Sequence, residues 1–134
     1  MGDLSGSPRL VIRVLGMALV TAAATAAIRV RRVAVHGSSM LPTLVPGDRL
    51  VVMGLWRVHA GDVVAVADPR NPSRLLVKRV AAVDRRAGMV TVVGDNQSAS
   101  TDSRTFGPVP RRSLVGRVVY RYGPPERQGW VPHL

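Results

Sequence analysis

Leu75-Leu76-Val77-Lys78-Arg79-Val80-Ala81-Ala82-Val83, then Arg85-Arg86-Ala87-Gly88, then Met89-Val90-Thr91-Val92-Val93 reads as a strand, a hairpin turn and a second strand. Valine-rich runs of five to nine residues bounded by a glycine-containing turn favour a sheet over a helix bundle. The pattern extends outward in both directions. Val33–His36 alternates before a turn, Pro46-Gly47-Asp48 feeds a strand over Arg49–Met53, and Ala60-Gly61-Asp62 feeds one over Val63–Ala67. Asp68-Pro69-Arg70-Asn71-Pro72 is expected to be a loop, Gly94–Thr105 a polar loop, Leu114–Tyr122 a last strand, and 123–134 irregular. Thirteen glycines and ten prolines in 134 residues fit many short strands joined by tight turns, an all-β barrel or sandwich-like domain.

Lys78, in the middle of the longest strand, is the only lysine of the chain, against eighteen arginines. Arginine replaces lysine at most surface sites, but not where the side chain must lose its proton. Lys78 is therefore a candidate general base, and Ser39 in Gly37-Ser38-Ser39-Met40-Leu41-Pro42-Thr43 a candidate nucleophile for it to activate. The competing readings are an arginine-rich chain in which one edge-strand lysine remains, and a serine that merely serves its turn. Leu76 and Val80 would share the face of Lys78 on an extended strand, and apolar surroundings lower an amine's pKa towards working pH. His36 lies three positions before Ser39 and, along a strand, would face the other side.

Composition removes several classes of function. Cysteine is absent, which excludes disulfides, thiolate metal sites and a cysteine nucleophile. His36, His59 and His133 are far apart, and no HExxH pattern occurs, so no metal and no cofactor are expected. The formal charge of +11 raises nucleic acid as a partner. The arginines are scattered, however, and aromatics make up only 4%, too few for a base-stacking platform, so no nucleic acid is expected; a basic nucleic-acid-binding β-domain is the non-enzymatic alternative.

After a short polar tail (1–9), residues 10–28 are apolar and alanine-rich, apart from Arg13. Nineteen helical residues rise about 28 Å, close to a hydrocarbon core, so a single membrane anchor in contact with lipid is expected there. A buried helix and a signal sequence are the alternatives. Arg9 and Arg13 flank one side, and Arg29, Arg31 and Arg32 the other. The positive-inside rule taken alone would put the following domain in the cytoplasm.

Four stretches in order resemble the type I signal peptidase family of serine–lysine membrane proteases. They are Gly37-Ser38-Ser39-Met40-Leu41-Pro42-Thr43-Leu44 with Gly47-Asp48; Gly61-Asp62-Val63-Val64; Val77-Lys78-Arg79-Val80; and Gly94-Asp95-Asn96 through Ser100-Thr101-Asp102-Ser103-Arg104 to Phe106-Gly107-Pro108-Val109. The resemblance covers about residues 33–122. It implies a mainly β, signal-peptidase-like or LexA-like β-barrel-type catalytic domain over 33–134 preceded by one transmembrane helix. By the same resemblance Ser39 is the nucleophile, Lys78 the base, and Ser100 the hydroxyl that holds the amine. Asp95 would pair with Arg79 and Asp102 with Arg104, while Gly37, Ser38 and Met40 would line the oxyanion and substrate-binding region.

Gly37 stands where larger members carry a serine that helps the oxyanion hole, which would leave backbone N–H groups to do so. Only fourteen residues separate Arg79 from Gly94, so the second β-domain of larger members is missing. The chain is thus similar to the short forms, mitochondrial inner-membrane peptidases and maturation proteases linked to nickel superoxide dismutase. The implied activity is cleavage of a signal or leader peptide from a precursor protein at the cell membrane, with the catalytic domain extracytoplasmic. A cytoplasm-facing protease that trims a metalloenzyme leader is the alternative. A LexA-like self-cleaving regulator would need a DNA-binding domain before residue 33, which the alanine-rich stretch is not.

Overall fold

A computed structural model describes residues 29–54 and 57–134. Eight strands follow in chain order: β1 (Val30–Ala34), β2 (Arg49–Met53), β3 (Val63–Asp68), β4 (Asn71–Asp84), β5 (Met89–Val93), β6 (Val109–Pro110), β7 (Leu114–Gly123) and β8 (Gly129–Trp130). One short helix, α1, spans Ser103–Phe106. The strands pair antiparallel in the order β1-β2-β7-β3-β4-β5-β6, with β8 on β7.

The strand β3 has no exposed face over Val63, Val64, Ala65 and Val66, which are all buried. Side chains alternate across a strand, so β3 feeds two cores. Val63 and Ala65 join Val35, Met40, Leu44, Leu50, Val52 and Val118 on one side. Val64 and Val66 join Val58, Leu76, Val80, Val90, Val92 and Val109 on the other. The register sets Val64 opposite Lys78 and Val63 opposite Arg79. Consecutive residues of β4 thus send an amine towards one core and a guanidinium towards the other.

The sheet is open, which corrects the barrel-type expectation. Among the described residues β1 and β6 terminate the strand order and do not pair with each other. The edges explain why. The β6 strand has two residues, of which Pro110 has no N–H to extend a ladder, and β1 carries exposed Arg31 and Arg32. The expected membrane helix over 10–28 and the tail over 1–9 lie outside the described residues. Among the described residues no helix is long and apolar enough to cross a membrane.

Other differences are local. Residues expected as a loop around Pro69 form a tight turn instead, and β4 starts at Asn71 with four exposed residues, where Pro72 costs no buried hydrogen bond. The region 123–134 contains a 3₁₀ turn at Pro125–Arg127 and the short β8. It is tied down by charge. Asp48, fully buried, accepts bonds from Arg127 Nε (2.8 Å), Arg121 Nη1 (3.3 Å) and the Val45 N–H (2.9 Å). Arg121 also donates to the Thr43 carbonyl (3.2 Å), so one carboxylate clips the 35–48 loop to the end of β7. Burial works against the Asp48 charge, but the Arg127, Val45 and Arg121 partners hold its pKa below the ordinary value.

Asp48→Ala removes that clip and leaves two guanidinium groups facing each other. It is expected to cost about 2 kcal/mol in chemical denaturation, partly offset by rehydration of the half-exposed Arg127. The stabilisation from ionised Asp48 is present above its unfolded-state pKa and fades as pH falls through the lower folded-state value.

Candidate active site

Three segments converge on one cleft of about 500 Å³. Its walls are Ala34–Met40 after β1, Arg74–Lys78 of β4, and Ala99 and Thr101 of the loop after β5. Ser39 and Lys78 both line it, as do Gly37, Ser38 and Met40. The chain turns sharply into the first segment at Gly37, whose φ of 77° lies in the left-handed region open to glycine. Serine at this position would be strained, which gives a local reason for the departure noted at Gly37. Met40 is the anchor of the turn, 1% exposed within one of the cores.

Lys78 is 2% exposed. Its flanking Leu76 and Val80 are buried in the same core as Val64 on the neighbouring strand. Its Nζ donates to Ser100 Oγ at 3.0 Å, and Ser100 Oγ donates to Asp102 Oδ2 at 2.6 Å. A hydroxyl has one proton. The ionised Asp102 can only accept, so the Ser100 proton is committed to it and Ser100 can only accept from the amine. The lone pair of a neutral Nζ is thereby left unspent. Among the described residues the hydrogen bond of Nζ goes to Ser100 and not to Ser39.

Asp102 is fully buried and saturated. Arg104 grips it with Nε (3.0 Å) and Nη2 (2.7 Å), the Gly94 N–H donates at 2.9 Å, and its carboxylate caps α1 through the Arg104 N–H. Burial opposes ionisation of Asp102, but these bonds and that from Ser100 hold its pKa well below the carboxylate range. Lys78 is shifted the other way. Loss of water on burial lowers its pKa, the Asp102 charge partly restores it, and Arg104, Arg70 and Arg74 lower it again.

A second ion pair ties the surrounding loops together. Asp95 takes both Arg79 Nε and Nη2 at 2.8 Å and the Thr43 hydroxyl at 2.6 Å. Arg79 bonding, with burial opposing and Thr43 assisting, holds Asp95 below its ordinary pKa. Arg79 Nη1 reaches on to the Gly61 and Pro132 carbonyls. The nucleophile-candidate loop, β4 and the 94–102 loop are thus joined to one another.

Three residues of this junction went unassigned in the sequence reading, although each lies in a quoted stretch. Thr43 binds Asp95, as above. Asn96 donates from its backbone to the Ser39 carbonyl (2.9 Å) and from Nδ2 to the Ser38 carbonyl (3.0 Å). Gly94 packs so closely that a Cβ would lie 2.2 Å from Ser100 Oγ and 2.6 Å from the Ser39 carbonyl. A glycine before an acidic residue signals a turn as readily as a close approach, so only the fold separates the two. His36 lines the cleft but is exposed. Among the described residues no group of three metal-ligating side chains occurs.

The sequence profile described as signal peptidase, peptidase S26 matches residues 9–84 and 86–123. The chain belongs to that family of peptidases. It is similar to mitochondrial ATP-independent inner membrane protease subunit 1a of Arabidopsis thaliana, 39% identical over 120 residues and covering 71% of each chain. It is also similar to mitochondrial inner membrane protease subunit 2 of Mus musculus, at 34% identity over 117 residues with 69% of this chain and 67% of the relative covered. Mitochondrial inner membrane protease subunit 1 of Xenopus tropicalis is 35% identical over 115 residues, with 69% of each covered.

The lowered pKa of Lys78 carries a cost with a definite sign. Between the folded-state value and the ordinary value near 10.4 the unfolded chain binds the extra proton, so this group's contribution to stability rises with pH across that window. At neutral pH, Lys78→Met is expected to melt a few °C above wild type, and the difference should vanish towards pH 11; thermal melts at the two pH values check it.

Proposed function

We propose that the protein is a membrane-anchored serine endopeptidase that removes signal or leader peptides from precursor proteins, with Ser39 as nucleophile and Lys78 as general base. The observation that carries this reading is the pairing, in one cleft, of a serine hydroxyl with a buried amine whose partner is a hydroxyl and not a carboxylate. The lowered pKa and the free lone pair give Lys78 the properties of a base.

The neutral amine takes the Ser39 proton as Oγ bonds to the scissile carbonyl carbon, and the carbonyl oxygen gains the negative charge. The ammonium then protonates the leaving amine as the C–N bond breaks, which leaves an acyl ester on Ser39. The same amine, neutral again, takes a proton from water as its oxygen bonds to the ester carbon; the C–Oγ bond then breaks and the ammonium returns the proton to Ser39 Oγ, which restores the enzyme. Ser100 orients the amine throughout, and Arg104 absorbs the Asp102 charge that would otherwise keep Lys78 protonated. Asp95 and Arg79 tie the Ser39 loop, through Thr43, to β4. Nζ need not contact Ser39 before substrate binds, since such bonds tighten once substrate excludes water.

Membrane anchorage is supported by the apolar stretch 10–28 and by relatives named as inner membrane proteases. The substrate would lie extended beside a strand, with small residues at the cleavage site. We take the catalytic domain to lie on the extracytoplasmic face, where exported precursors would meet it. A second reading, a cytoplasm-facing protease trimming a metalloenzyme leader, is favoured by Arg29, Arg31 and Arg32 directly after the anchor. Proteolysis of the C-terminal domain in spheroplasts but not in sealed inverted vesicles supports the first reading, and the reverse supports the second.

With the full chain in detergent and a preprotein as substrate, Ser39→Ala and Lys78→Arg should each reduce cleavage on the order of 10⁴-fold or more. Wild-type activity in either variant would contradict the proposal.

A further inference from the structure

Ser38 and Ser39 sit in a turn closed by the Leu41 N–H on the Ser38 carbonyl (3.2 Å). The first N–H groups of such a turn have no partner inside it. Among the described residues neither the Ser39 nor the Met40 N–H donates to a backbone carbonyl. Both residues line the cleft.

The carbonyls of the same two peptide units are held from the other side by one residue. Asn96 Nδ2 takes the Ser38 carbonyl at 3.0 Å and the Asn96 N–H takes the Ser39 carbonyl at 2.9 Å. A trans peptide is planar, with C=O and N–H pointing opposite ways. Fixing the Ser38 carbonyl therefore fixes the Ser39 N–H, and fixing the Ser39 carbonyl fixes the Met40 N–H. Each N–H is directed away from Asn96. Gly94 lets the 94–96 backbone come this close, since any Cβ there would strike the Ser39 carbonyl. Asn96 is itself positioned, because its Oδ1 accepts from Ser98 Oγ (3.2 Å), which leaves Nδ2 as the end facing Ser38.

We infer that Asn96 is a positioning residue that pre-orients the Ser39 and Met40 N–H groups as the oxyanion donors of the peptidase reaction. The inference rests on the function proposed above and deepens it. Gly37 offers no side-chain donor, so a hole in this chain depends on backbone N–H groups, and their directions depend on what holds the carbonyls behind them. Hydrogen bonds aimed in advance at a developing charge lower the barrier because nothing reorganises during reaction.

The test compares wild type with Asn96→Asp, which keeps the shape and loses the Nδ2 donor to the Ser38 carbonyl, and with Asn96→Ala, which loses that donor without adding charge; both keep the backbone bond to the Ser39 carbonyl. Cleavage of a preprotein by the full chain in detergent is measured together with inhibition by a tripeptide Ala-Xaa-alaninal and by the matching alaninol. The aldehyde forms a tetrahedral adduct with Ser39 that needs the hole, and the alcohol does not. Both variants are expected to lose about 10- to 100-fold in kcat with KM unchanged, and to bind the aldehyde more weakly by a similar factor. The alcohol's affinity and the melting temperature should hold.

Wild-type kcat in Asn96→Ala would overturn the inference. So would equal weakening of aldehyde and alcohol, which would mark general disorder of the loop. If the wild-type chain shows no Ser39-dependent cleavage at all, the peptidase reading falls and this inference with it. If wild type and both Asn96 variants cleave alike, only the role of Asn96 falls.

Discussion

A carboxylate in direct contact with Lys78 would hold the proton that a base must be able to release. Asp102 reaches the amine only through the Ser100 hydroxyl, and its charge is already gripped by Arg104. Among the described residues the amine is thus buried without an ion-pair partner, an arrangement that costs stability wherever the unfolded chain is charged. The surroundings are organised to keep it so. Leu76 and Val80 wall the amine on its own strand, Val64 lies opposite, and arginines beyond Asp102 add repulsion.

The contrast between one lysine and eighteen arginines acquires a structural meaning beside this site. Asp48, Asp68, Asp95 and Asp102 each take bonds from two nitrogens of an arginine: Arg127, Arg70, Arg79 and Arg104 respectively. Planar two-nitrogen contact with a carboxylate is a geometry that lysine cannot supply. These clips close the 35–48 loop and the β3–β4 turn, join β4 to the 94–102 loop, and fix the start of α1. Small cores flank the sheet on both sides, and the loops that line the cleft are held by charge and hydrogen bonds as much as by apolar burial. The two kinds of cation therefore do different work: arginine fastens, and lysine is kept apart.

Much of this was legible in the residues. Arg49–Met53 and Met89–Val93 are strands over the expected residues, because a turn with Gly47 or Gly88 precedes each and valines fill them. At the sheet edge the expectation was less accurate. The run Val30-Arg31-Arg32 pairs with β2 through its backbone while its side chains stay in water, so no apolar alternation announces it. Closure of the sheet was likewise not readable, since a two-residue β6 ending in proline decides it. At the site, the residue types of Ser39, Lys78, Asp95 and Asp102 drew attention through charge or nucleophilicity. Asn96 and Gly94 act through a carbonyl contact and through empty space, which become visible only when distant loops are brought together.

Because Lys78 is the only lysine, its side-chain nitrogen can be followed without assignment ambiguity. NMR of the full chain in detergent, labelled with [ε-15N]lysine, would show a single resonance to titrate against pH. A midpoint well below 10.4, near the working range of a base, is the result this account predicts. A resonance that remains that of a charged ammonium up to pH 10 would contradict it.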